Sequence, residues 1–400
     1  MRMRRRVAAW SLCILGLAGA PVRAQQEPTQ PQAVSSDELR AAIDSLGKLD
    51  YDTRTRASRT IRRSPAAQAV PALMQAVSDH GDGYVRYRAL VLLTGFNDLR
   101  ARDVMRDALT SPNDRLRTVA YSFFEHNPDR ALVPVLMTAM DKESGEFVRP
   151  SLVRALAAQA AAPGNEAARV QAVLVREAGR GQDFFRTAVI EALGDFKARY
   201  AFDTLTAIAG LDGPLQNDTA IALGKIGDQR ALNVLANLQR TAPKASQPYV
   251  AAAICLLGVN CETHEKFLVE TLNYADTTPG YQPYLRAAAA GLAAVAVAGH
   301  SEAADSLFRV GIPSRDPTRA PVSLALATIA LRRTPLMMTI LQAHPNRDKA
   351  IELMAEGFDI LEEDYEKERF FAFVRHAYWD SPENSPAREL MRTLIAKLDF

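Results

Sequence analysis

Along most of the chain apolar residues recur three, four, seven and eight positions apart, as at Val85, Ala89, Leu92 and Leu93, with polar residues between them. That spacing draws one oily stripe down each of a series of helices and does not fit the alternation of a half-buried strand. The stripes also share a frame. Phe185-Arg186-Thr-Ala188-Val189-Ile-Glu-Ala192-Leu193-Gly194 aligns with Leu215-Gln216-Asn-Asp-Thr-Ala220-Ile-Ala222-Leu223-Gly224 and with Tyr249-Val250-Ala-Ala-Ala253-Ile254-Cys-Leu-Leu257-Gly258. The same frame catches Arg54, Arg86, Arg117, Arg149, Arg286 and Val322. Successive positions lie about 30 to 37 residues apart, the length of a two-helix unit, and about nine units are traced. A lone hairpin leaves its stripe exposed, whereas stacked hairpins bury it continuously, so the pattern predicts an all-α array and not separate globules. Small residues at Ala188, Ala192, Ala220 and Ala222 let the layers approach closely. Asp98, Asp129, Asp195 and Asp228 each follow the second helix of a unit and are expected to cap the next helix. Arg100, Arg130, Lys197 and Arg230 follow one or two residues later, placed for charge pairing across the stack.

The frame begins near Ser36, where Ser36-Asp37-Glu38 precedes Leu39, Ala42, Ile43 and Leu46 at helical spacing. It is lost from His344. Residues 344–400 read as a helical segment covering the open end of the stack, with an acidic stretch at Glu362-Glu363-Asp364 and aromatics at Phe370, Phe371 and Phe373. A last helix starts at Ser385-Pro386, cap followed by first-turn proline.

Gly227-Asp228-Gln-Arg230-Ala231 and Ala69-Val70-Pro71-Ala72-Leu73 resemble the turn and first-helix motifs of HEAT repeats, and Val85-Arg86 resembles the start of that family's second helix. The resemblance covers roughly residues 36–340 and rests on repetition in frame. It implies a right-handed α-solenoid of about nine two-helix units, residues 36–343, with residues 344–400 as its cap. Gln216, Val250 and Val322 stand where the family has Arg, which puts an unbroken arginine ladder in doubt but not the fold.

Composition agrees with helices: apolar residues make up 48% and aromatics only 7%. Lys plus Arg total 48 against 46 for Asp plus Glu, so the chain lacks the positive field that phosphate backbones need, which argues against nucleic acid as a partner. The small excess gathers at Arg2, Arg4, Arg5 and Arg6, ahead of an apolar run from Val7 to Ala20. That is the plan of a signal peptide, residues 1–24, cleaved after Val22-Arg23-Ala24, and it places the mature protein in the periplasm or outside the cell. The run is too short to span a bilayer, and no later segment is long enough; Ala287 to Ala298 reads as a buried helix. Residues 25–35 hold two prolines and almost nothing to bury, a disordered linker. Cys255 and Cys261 then remain in a compartment that permits disulfides; they pair if the helix end bends back, and otherwise stand as two inert thiols.

The six histidines lack zinc-protease spacing, no serine elbow is present, and the glycines fall singly at turns. The reading is therefore no catalytic residue, no metal and no cofactor. Two features are left for binding. Arg54, Arg86, Arg117, Arg149, Arg186 and Arg286 occupy equivalent places near second-helix starts, where a row of guanidinium groups could hold acidic peptide segments; pairing with acids of neighbouring units is the structural alternative. The loops inside each unit lie along one edge and lengthen around Asn273 to Pro283 and Gly311 to Ala320. Tyr249, Tyr274, Tyr281 and Tyr284 gather there. The expected function is an exported monomeric scaffold or adaptor that binds a protein or peptide. The rivals are a lyase-type enzyme, since some HEAT-like families are linked to tetrapyrrole-attaching lyases, and a structural component of the cell envelope.

Overall fold

The computed structural model describes residues 32–161, 166–278, 280–361 and 363–400. The expected signal peptide and all but the end of the linker lie outside them. The described residues form 22 α-helices and three short 3-10 turns, with no strand among them.

Ten hairpins follow one another. They are α1 (Ser36–Ser45) with α2 (Tyr51–Arg63), α3 (Ala66–Asp79) with α4 (Gly83–Thr94), α5 (Ala101–Ala108) with α6 (Asp114–His126), and α7 (Val133–Lys142) with α8 (Arg149–Ala161). Next come α9 (Ala167–Ala178) with α10 (Asp183–Asp195), α11 (Phe202–Ala209) with α12 (Leu215–Ile226), and α13 (Ala231–Thr241) with α14 (Gln247–Leu256). The last three are α15 (Cys261–Thr277) with α16 (Gln282–Ala298), α17 (Ser301–Gly311) with α18 (Arg319–Arg332), and α19 (Thr334–Ala343) with α20 (Arg347–Ile360). The array thus runs one hairpin past the expected boundary at residue 343. The frame was lost there only because Arg347 stands at the very start of its helix, ahead of the expected register.

Second helices of successive hairpins pack directly on one another, α6 on α8, α10 on α12, α18 on α20, whereas successive first helices barely meet. Helices on the inside of a curve are crowded and those outside are spread, so the second helices line the concave face. The crowding needs small residues. A Cβ on Gly194 would sit 2.8 Å from the Ala222 Cα, and one on Gly224 would sit 2.7 Å from the Ala253 carbonyl oxygen. Alignment of the two Leu-Gly pairs is therefore a packing requirement of the inner wall.

The expected capping is met at one of the four aspartates: Asp129 caps the 3-10 turn leading into α7, whereas Asp98 and Asp228 sit in the turn ahead of α5 and α13, which start after Arg100 and Arg230 without a side-chain cap. Asp98, Asp129 and Asp228 accept bonds from the backbone N–H groups of Arg100, Ala131 and Arg230. Asp195 does not cap; it ends α10 and joins Arg154 and Lys225 instead. Arg100 and Arg230 pair with the aspartate of their own turn and not across the stack.

The tail does more than cover the last hairpin. Helix α22 (Pro386–Leu398) packs on α19 and α20, while α21 (Asp364–Asp380) packs on α18 and also on α4 and α6 of the second and third hairpins. The two ends of the array are therefore joined through α21, which lies on the concave side.

Candidate functional site

The arginine row is placed by the hairpin itself. Each first helix ends with backbone carbonyls that lack intrahelical donors. Arg54 donates to the Lys48 and Leu49 carbonyls, Arg86 to Val77, Arg117 to Ser111 and Arg186 to Ala178. The bonds run from 2.6 to 3.0 Å. Gln216 makes the same reach to the Ala209 carbonyl, so an amide replaces the guanidinium where the ladder seemed broken. At Val250 and Val322 the duty moves one helical turn back, to Gln247 on the Ala242 carbonyl and Arg319 on the Gly311 carbonyl. Arg149 instead lies over the Phe185 ring at 3.6 Å and pairs with Glu177 of the next hairpin. Arg117 and Arg319 also pair with an acid of the next hairpin, Glu143 and Glu356. Arg286 alone of the six is exposed and makes no such bond. Arg54, Arg86, Arg117 and Arg186 are thus committed within the fold, for a reason periodicity does not reveal: the recipient is a carbonyl five to nine residues upstream.

The tyrosines do come together. Tyr274 and Tyr281 meet edge to face at 5.1 Å between ring centroids, and the Tyr281 and Tyr284 rings, tilted by 50°, lie 5.3 Å apart. Helix α15 runs on to Thr277, so Tyr274 stands on its last turns and the loop is shorter than expected. Tyr274 is 52% exposed. Tyr249 lies on the neighbouring second helix, its hydroxyl pushed up by burial and by Asp218, with Arg286 acting in opposition.

The same edge carries more apolar surface than the sequence reading found. Leu49, Tyr51, Phe147, Phe184 and Leu211 are exposed large apolar side chains, and each lies in the turn between first and second helix or at the second helix start. Phe147 and Phe184, on successive hairpins, meet edge to face at 6.0 Å and are 79% and 51% exposed. The signal was available: each sits just before or within the first turn of a second helix, outside the apolar stripe, where a core residue has no place.

On the concave side, α21 meets the early hairpins through charge. Arg62 and Arg375 both hold Glu368, all three side chains buried. Arg375 also donates to the Gly95 carbonyl, and its burial presses the guanidinium down to about 10. Asp364 accepts from Tyr87 and from Arg88, the latter at 2.8 Å. Glu366 pairs with His126 at 2.6 Å and with Arg369 and Arg332. A cleft of about 530 Å³ opens beside this seam, lined by Thr94, Asn97, Arg332, Arg369, Phe373, His376 and Asp380 among others. Further along the wall Arg154 bridges Glu125 and Asp195, and Lys225 reaches Asp195.

Cys255 and Cys261 are joined in a disulfide. Gly258 and Asn260, both with positive φ of 77° and 44°, turn the chain back after α14 and bring the second sulfur to the first. His300 lies beside it, its Nδ1 3.7 Å from the Cys261 sulfur.

Residues 36–125 match the sequence profile of HEAT repeats. That segment carries HEAT repeats. Stacked helical hairpins continue from there through residue 360, making the described residues an all-α solenoid. No curated protein matches the chain. Among solved structures it is similar to Kap121p bound to Ste12p, at 13% identity and TM-score 0.41, over 91% of this chain and 45% of that one. It is also similar to Kap95p in complex with RanGDP, at 12% and 0.35, over 90% and 62%. A third likeness is to the complex of CpcE and CpcF of phycocyanin lyase from Nostoc sp. PCC7120, at 19% and 0.28, over 83% and 97%. The chain spans less than half the length of Kap121p.

Proposed function

We propose that this solenoid is an exported monomeric scaffold that holds a protein partner along the edge formed by its intra-hairpin turns, and that this edge binds without catalysing. One observation carries the reading: exposed apolar side chains are drawn up on that edge, from Leu49 and Tyr51 through Phe147 and Phe184 to Tyr274. Aromatic side chains bury a large area at small entropic cost when a partner covers them, and contiguous apolar surface marks contact sites. The concave face is the weaker candidate, because α21 already occupies part of it. A structural role for the inner-wall carboxylates Glu125, Asp195, Glu366 and Glu368, and not acid–base catalysis, is supported by their ties to cations of the fold. Export is supported by the Arg-led apolar run and by a cystine.

The test is site-specific photo-crosslinking in the native envelope with the probe at Phe147, Phe184 or Tyr281, against probes at outward positions of the first helices. One dominant protein adduct from the edge positions supports the reading. Equal labelling from both sets, or adducts from the first helices only, rejects it. Sequencing the N-terminus of the recovered chain tests export, with Gln25 as the expected first residue.

A further inference from the structure

The cystine sits at a place built for exchange. Cys255 is sealed inside α14, 1% exposed, while Cys261 is only half-buried, so a thiol from solution meets one sulfur and not the other. Cys261 is the first residue of α15, a helix of 17 residues whose first turn has no side-chain cap, and helix N-termini favour a thiolate over a thiol. His300, in the turn between α16 and α17, supplies an imidazole at 3.7 Å. The remaining charged and titratable groups nearby are Glu262, His264 and Glu265 of α15 and Glu302 of α17. Of these Glu265 faces His300 and Glu302. Helix α14 brings no charged side chain, and its one titratable group is Tyr249. A staple needs only two matched sulfurs; here an accessible sulfur, an uncapped helix start and an imidazole coincide.

We infer that Cys255 and Cys261 form a thiol–disulfide exchange centre, with Cys261 as the sulfur that meets the substrate and Cys255 as its buried partner. The substrate class is a dithiol in a protein or peptide. A substrate thiolate attacks the Cys261 sulfur, a new S–S bond forms, and the Cys255–Cys261 bond breaks. Its electron pair goes to the Cys255 sulfur, which takes a proton. The second substrate thiolate then attacks the substrate sulfur of the mixed disulfide, and Cys261 leaves as a thiolate held by the α15 N–H groups and His300. The substrate dithiol is oxidised to a disulfide, the cystine is reduced to a dithiol, and two electrons pass. Exchange with a second, oxidised disulfide restores the pair. Stabilising the leaving thiolate makes the oxidised form the stronger oxidant.

The test uses the folded full-length mature chain. Dithiothreitol without denaturant is expected to open the pair within minutes, and a reduced dithiol peptide to be oxidised one for one, both read by mass after alkylation. In Cys255→Ser, incubation with oxidised glutathione should trap glutathione on Cys261. Iodoacetamide at pH 6.5 should modify reduced Cys261 about tenfold faster than free cysteine, with His300→Ala removing most of that gain and His264→Ala leaving it. Circular dichroism confirms that each variant is folded. A pair that yields only after unfolding, a Cys261 no faster than free cysteine in the folded wild type, or a reduced chain that takes up one zinc ion and shields both thiols would each overturn the inference.

Discussion

The Arg62 guanidinium and the Glu368 carboxylate, 306 positions apart, meet at 2.6 Å with 6% and 1% of their side chains exposed. This pair ties the first hairpin to the helix that crosses the concave face, and Arg375 shares the carboxylate. A buried pair adds little over a well-packed apolar pair, but losing one partner strands the other charge. Glu368→Ala leaves two buried arginines without a counterion and is expected to destabilise the protein by about 3–5 kcal/mol, read in urea unfolding curves. Arg62→Met with Glu368→Leu should cost clearly less than the sum of the single changes. Additive losses would mean that the two side chains do not act as a pair.

Glu366 makes the same junction sensitive to acid. Burial raises its carboxyl, but the His126 hydrogen bond and the charges of His126, Arg369 and Arg332 outweigh that and bring it down to about 2 from 4.5. A folded value below the unfolded one means that the stabilisation is complete above pH 4.5 and drains away as the pH falls toward 2. The shift corresponds to on the order of 3 kcal/mol. Hydrogen exchange in α21 should therefore accelerate between pH 4.5 and 2, while Glu366→Gln should flatten that dependence. Identical acid profiles for the two proteins would show that another group controls the junction.

The guanidinium row is predicted to matter for stability and not for partner capture. Arg86→Ala strips the Val77 carbonyl of its donor and is expected to cost about 1–2 kcal/mol. Arg86→Gln, imitating Gln216, should restore part of it. Edge photo-crosslinking should continue in the Arg86→Ala protein at a temperature where it is folded. Loss of the adduct there would return the row to the binding surface.

How much was legible follows from the range of each interaction. The hairpins were readable because their apolar stripe repeats locally and because one anchor recurs at Arg54, Arg86, Arg117, Arg149 and Arg186. The tenth hairpin escaped because Arg347 caps the Leu341 carbonyl from the first position of α20, out of the expected register. The aromatic edge was half seen: Tyr274, Tyr281 and Tyr284 lie within one hairpin, whereas Phe147 and Phe184 meet only once two hairpins stack. The crossing of α21 was invisible, since Asp364 reads only as the end of a short acidic stretch and Glu366 and Glu368 carry no signal of their own until Arg88, His126 and Arg62 are brought to them from more than 200 residues away.

The inner wall yields the last prediction. At Gly224 the missing side chain faces the backbone of Ala253 on the next second helix, with 2.7 Å between a built Cβ and the carbonyl oxygen. Backbone cannot swing aside as a flexible side chain does, so one added methyl must push α12 and α14 apart. Gly→Ala in a helix interior ordinarily stabilises by about 1 kcal/mol, and overpacking costs about 1–3 kcal/mol. The contact distance decides for the second effect: Gly224→Ala should lower the unfolding midpoint, and Gly194→Ala, facing the Ala222 Cα, should do the same. Gly179→Ala is the control, because its nearest neighbours are 3.6 Å away and belong to its own helix. If all three variants unfold at the same denaturant concentration as the parent, the second helices are not in the close contact that curves this array.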